Sequence, residues 1–142
     1  MSSLRQGSGD DHPDASGKHL MDARALLGAT RPDGAAYLAG YVVECALKSL
    51  LQVETGTAPS IHPLVTLSGQ VNAACLAAGA RTAKYMTPDV QSVPTAAIAQ
   101  WRETLRYRSP SMTCGAAQVW VDEASQIYSD TVAAMILDGV IQ

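Results

Sequence analysis

Apolar residues recur along this chain at steps of three and four, the repeat of one helix face. No run alternates at the two-residue period of a strand, and alanine is abundant. A first helix is predicted from about Lys18 to Ala29, with Leu20, Ala23 and Leu27 on one face and Pro32 as its breaker. Asp33 reads as the N-cap of a long second helix that Gly56 stops. A third is predicted from Pro63 to about Gly79, with a stripe of Leu64, Leu67, Val71 and Ala74. The two prolines of Thr87–Pro94 read as a loop. A short helix follows over about Thr95–Arg106, with Ile98, Trp101 and Leu105 on one face. After Ser109-Pro110, a last helix is predicted over about Cys114–Gly139, its seam made of Trp120, Ala124, Ile127, Thr131 and Ala134. Short links between such helices predict an all-α antiparallel bundle of four or five members, running up and down.

The second helix departs from the single-stripe rule. Its run DGAAYLAGYVVECALKSLL is apolar nearly all round, as in a helix at the centre of a bundle or at a subunit interface. The exceptions line up: Tyr37, Tyr41, Glu44 and Lys48 stand at steps of 4, 3 and 4 and share one face. Two readings stay open. Either the tyrosines mark a boundary and Glu44–Lys48 is a solvated pair worth ~0.3–0.5 kcal/mol, or the four line a cleft or seam. In that second case buried charges need further partners.

Composition narrows the class. At 142 residues the chain fits one domain. With 47% hydrophobic and 16% charged residues it can bury a core. Residues 1–17, rich in Ser, Gly and Asp, read as a disordered tail, leaving 18–142 as the bundle. The net charge of −3 argues against a bulk nucleic-acid coat. The charge is nevertheless uneven: Lys18–Arg108 is net positive, and beyond Arg108 there are four acidic residues and no Lys or Arg. No membrane span and no signal peptide are expected, so the predicted setting is the reducing cytoplasm. Cys45, Cys75 and Cys114 are too few and too scattered for a disulfide framework or zinc site. No metal and no cofactor are expected.

Chemistry concentrates in Trp101–Arg108, where three arginines and two aromatics stand within eight residues. Such a mixture contacts phosphates and stacks on bases. It is equally the solvated end of a helix whose arginines pair with the acidic last element. Helical spacing would put Arg102 and Arg106 on one turn as a phosphate clamp. His62 precedes Pro63 and reads first as a cap of the third helix, and second as a proton-transfer group. His12 and His19 have no ligand spacing. Cys45 reads as a small buried hydrophobe. No Gly-rich phosphate loop, GxSxG elbow or HExxH is present.

The run Asp33–Lys48 resembles the second helix of HEPN domains (higher eukaryotes and prokaryotes nucleotide-binding), in which small and aromatic residues lead into a Glu-x-x-x-Lys pair. Ile61–Leu67 is similar to the family's His-x-Leu-x-x-Leu entry to the third helix, and Leu105-Arg106-Tyr107-Arg108 to the Arg-Tyr segment before its last helix. The resemblance covers about Lys18 to the C-terminus. It implies a helical bundle, commonly a homodimer, that engages a nucleotide, an RNA or a nucleotidyltransferase partner in a toxin–antitoxin-type system. Many catalytic members are metal-independent RNases with an Arg followed four to six residues later by His. This chain departs from that pattern, because His12, His19 and His62 all lie upstream of Arg102, Arg106 and Arg108. The expected role is therefore binding rather than catalysis, with Tyr41, Glu44, Lys48, Arg102, Arg106, Tyr107 and Arg108 as the ligand face. A divergent RNase using Arg106 and His62 is one alternative. A structural dimerisation protein without ligand is another.

Overall fold

The computed structural model describes residues 1–142 and is all-helical. Helices α1 (His12–Gly28), α2 (Pro32–Thr55) and α3 (Leu64–Cys75) are followed by a connector of 3-10 turns containing the single-turn α4 (Pro88–Gln91). The chain closes with α5 (Cys114–Tyr128), a π-helical turn Ser129–Ala133, and α6 (Ala134–Leu137). This is the expected helical bundle.

Helix α2 is its axis. It packs against α1, α3 and α5, and 15 of its 24 residues are buried. It is also the one helix long and apolar enough to cross a membrane, but 78% of its most apolar window is covered by the rest of the fold. That marks a core helix. Gly56 ends it in the left-handed conformation (φ 84°), as its sequence position predicts. At its middle, Gly40 faces the buried Trp101, where an added Cβ would fall inside the indole ring. Glycine is needed there for close approach.

Several boundaries differ from those predicted. Helix α1 starts at His12, so part of the stretch read as a tail is helical. Asp11 accepts the Asp14 amide at 3.2 Å, Pro13 sits in the first turn, and Pro13 and Ser16 are buried. The residues before it are tied to the body as well: Gln52 donates to the Leu4 carbonyl at 2.8 Å, and the Ser3 amide donates to the Gln142 carbonyl at 2.6 Å. Asp33 lies inside α2 rather than capping it, and its carboxylate instead accepts the amides of Ser111 and Met112. Helix α3 stops at Cys75, short of Gly79.

The largest difference is the predicted helix 95–106. It is replaced by 3-10 turns at Val93–Thr95, Ala97–Gln100 and Glu103–Tyr107, with extended backbone at Ala96 and Arg102. Tertiary contacts account for it. The Glu123 carboxylate takes the amides of Ala97 and Ile98 at 3.1 and 2.8 Å, and the Trp101 indole donates to the Tyr37 carbonyl at 2.9 Å. Backbone groups that a helix would pair locally are paired across the bundle instead.

Candidate functional site

The four polar residues of α2 do share one face, and it has two unlike ends. At the C-terminal end Glu44 and Lys48 are buried, with only 5% and 6% of their side chains exposed, so the solvated-pair reading is overturned. Lys48 Nζ lies 2.8 Å from Glu44 Oε1, and His62 Nδ1 lies 3.1 Å from both carboxylate oxygens. These are the additional partners a buried pair requires. His62 makes no cap of α3, contrary to its first reading; it reaches back across 18 residues to α2. Its ring is 46% exposed. Nδ1 donates to the carboxylate and Nε2 makes no hydrogen bond within the fold.

The other two histidines gather around the same pair. His12 and His19 stand seven residues apart, two turns along α1, and both feel the Glu44 charge. Burial holds both imidazoles below the ordinary histidine range, helped by the nearby ammonium of Lys48 at His12 and of Lys18 at His19. Sequence spacing missed this grouping. The signal available was the Asp11 cap with Pro13, which would have extended α1 far enough to put both rings on one face.

Midway along the stripe, the Tyr41 hydroxyl is 3.1 Å from that of Tyr37. Its ring meets His19 at 5.6 Å and Trp101 edge-on at 4.9 Å. Burial, and then the Tyr37 hydroxyl, push the Tyr41 phenol above its ordinary range. Tyr41 feels both Glu44 and Arg106, so it stands between the two ends. Cys45, on the adjacent buried surface, has its thiol pushed up to about 12 by burial, which keeps it inert at neutral pH.

At the N-terminal end of the face sits the Glu103–Tyr107 turn. The Arg106 guanidinium lies 4.9 Å from the centre of the Tyr107 ring and beside Tyr37. Tyr107 is 75% exposed, and Arg102 and Arg108 are exposed as well. Arg102 does not share a helical turn with Arg106, which corrects the predicted clamp. It donates to the carbonyls of Ala99 and Trp101 on its own turn. The acidic last helix does not neutralise the cluster, since all the chain's ion pairs lie elsewhere. Three of its four carboxylates are engaged by the connector, Glu123 by backbone amides, Asp130 by Thr87, and Asp138 by Lys84 and Tyr85, and Asp122 accepts from Gln118 on its own helix. No three His, Cys, Asp or Glu side chains converge at metal-binding distance.

The geometry thus sets a fixed ionic group at one end of the α2 face and the Arg106 guanidinium at the other. Comparisons with known proteins agree with the motifs. A family model described as the HEPN domain matches residues 14–133. No curated protein and no solved structure gives a match. The match starts inside α1 and ends at the π-helical turn, so it covers most of the chain and leaves out α6. The chain therefore belongs to the HEPN domain family, a class of nucleotide- and RNA-related helical modules.

Proposed function

We propose that this protein is a nucleotide- and RNA-binding HEPN module whose ligand lies along the polar face of α2, with Arg106, Tyr107 and Arg108 as the phosphate- and base-contacting group. One observation carries the reading. Arg106 sits beside Tyr37 and the exposed Tyr107, followed by the exposed Arg108, and neither guanidinium has a carboxylate partner, although the protein is net acidic and four carboxylates follow in the sequence. Unpaired guanidiniums next to aromatic rings suit single-stranded nucleic acid, where cations track phosphates and rings stack on bases. Glu44 and Lys48 are bound to each other and largely buried, so the phosphate contacts fall to the exposed arginines, and the pair fixes His62 and the edge of α2.

Fluorescence anisotropy with a labelled twelve-nucleotide single-stranded RNA tests this. The double variant Arg106→Glu/Arg108→Glu loses binding while its melting temperature stays close to the parent's. Unchanged affinity defeats the reading. Association as a homodimer and pairing with a nucleotidyltransferase partner follow the family's habits. Light scattering and co-purification from the native host check these two in turn.

A second reading, a divergent metal-independent RNase, has the Glu44–His62 contact in its favour, since a carboxylate-oriented imidazole is the usual form of a general base. Arg106 would then hold the scissile phosphate. It predicts RNA cleavage in the presence of chelator, lost in His62→Ala and in Arg106→Ala. No cleavage of any RNA in a panel retires it.

A further inference from the structure

We propose that the cavity at the Glu44–Lys48 end of α2 is a nucleoside subsite, holding the base and ribose of one residue of a bound oligonucleotide whose phosphates run to the Arg106–Arg108 turn. This rests on the nucleic-acid reading above, and the test below separates the two.

The cavity encloses about 320 Å³ and is lined by Gln6, Asp10, His12, Glu44, Lys48 and His62, with Ser60 at its edge. That volume is near the lower end of the ~300–1,000 Å³ of small-ligand pockets, enough for one compact polar group. Its charge decides what enters. Two carboxylates face one ammonium, and the His12 imidazole is held neutral by burial and by Lys48, so an anion is disfavoured at neutral pH. A phosphate belongs at the arginine end and not here.

The unused hydrogen-bonding capacity points to a neutral group with both donors and acceptors. Lys48 directs one of its three protons to Glu44 and makes no other hydrogen bond. The Asp10 carboxylate accepts from the Ser8 hydroxyl through Oδ2 only, leaving Oδ1 unpartnered. His62 presents its second ring nitrogen, while the side chains of His12 and Gln6 have no partner in the fold. Such a wall matches the mixed edge of a nucleobase or the hydroxyls of a ribose. Tyr41 stands between this cavity and Arg106 and offers a ring on the way. From Glu44 to Tyr37 the helix rises roughly 10 Å at about 1.5 Å per residue. That is roughly three steps of a stacked strand at ~3.4 Å each, so a mononucleotide reaches one end and a tetranucleotide both.

Side-chain NMR of the three imidazoles at pH 7.5 provides the test, with adenosine, inorganic phosphate and the tetraribonucleotide rA4 as probes on the full chain. Adenosine and rA4 shift the His12 and His62 signals, and phosphate shifts neither. His62→Phe weakens rA4 about tenfold, the loss of one hydrogen bond to the ligand. Asp10→Asn, on the exposed rim, gives a second variant should His62→Phe fail to fold. Arg106→Glu weakens rA4 and leaves the adenosine shifts in place. Phosphate moving the imidazoles while adenosine does not overturns the proposal, as does rA4 affinity indifferent to both cavity variants. If Arg106→Glu abolishes rA4 binding while adenosine leaves the imidazoles still, the binding function stands and this subsite falls. Adenosine shifts with rA4 affinity unaffected by Arg106→Glu uphold the subsite and remove the arginine face.

Discussion

The two ends of α2's polar face are built from similar residue types and held in opposite ways. At one end Glu44 holds Lys48 and His62 at 2.8–3.1 Å, and the Glu44–Lys48 pair is closed from solvent behind the half-exposed His62 ring. At the other, Arg106, Tyr107 and Arg108 are exposed on a 3-10 turn and have no carboxylate to pair with. Burial turns charge into a positioning device, because each buried ion must be satisfied by the fold itself. Exposure leaves charge free for a ligand, at little cost to stability. Substitutions of the buried Glu44–Lys48 pair should therefore be read in melting curves, and those of the exposed arginines in binding curves alone.

The largest expected effect follows from breaking the buried pair. Lys48→Met leaves Glu44 without its ammonium and destabilises the protein by ~3–5 kcal/mol, while adding Glu44→Leu restores most of the loss. Chemical denaturation of the single and double variants checks this; equal losses in both would contradict it. Next comes the close approach at the centre of α2. Gly40→Ala forces a methyl group into the Trp101 ring and costs ~1–3 kcal/mol through overpacking. Trp101→Leu in the same background relieves part of that cost, which thermal melts of the pair would show.

Acid has a smaller effect at the ionic end. His12, facing Lys48, Asp10, Asp11 and Glu44, and His19, facing Lys18, Asp22 and Glu44, have folded pKa values below the ordinary one. The unfolded chain then takes up protons that the folded chain refuses. Stability is complete above about pH 6.5 and declines as pH falls through that value toward the depressed folded ones. Melting temperatures between pH 8 and 5.5 show the decline, and His12→Gln/His19→Gln flattens it. Smallest of all is the effect at the exposed end, where Arg106→Glu leaves the thermal melt close to the parent's.

The same contrast governs how much was legible in the chain. Helix α2 could be read directly, since its small-residue run, its 4-3-4 polar stripe and Gly56 are local signals that the packing respects. The segment 93–107 could not. Its spacing of Ile98, Trp101 and Leu105 looks helical, but its amides go to Glu123 and its indole goes to Tyr37, partners 25 and 64 residues distant. The site was half-readable for the same reason. Tyr41, Glu44, Lys48 and Arg106 announce themselves by pattern, whereas the grouping of His12, His19 and His62 about Glu44 depends on where α1 begins and how the loop before α3 returns.

The central claim is that these two ends serve one ligand, and simultaneous NMR detection of the Arg106 guanidinium and the His62 imidazole during titration with rA4 tests it most directly. Both signals are expected to move along one binding curve and saturate together. Movement of Arg106 alone, or two curves with separate midpoints, would contradict it.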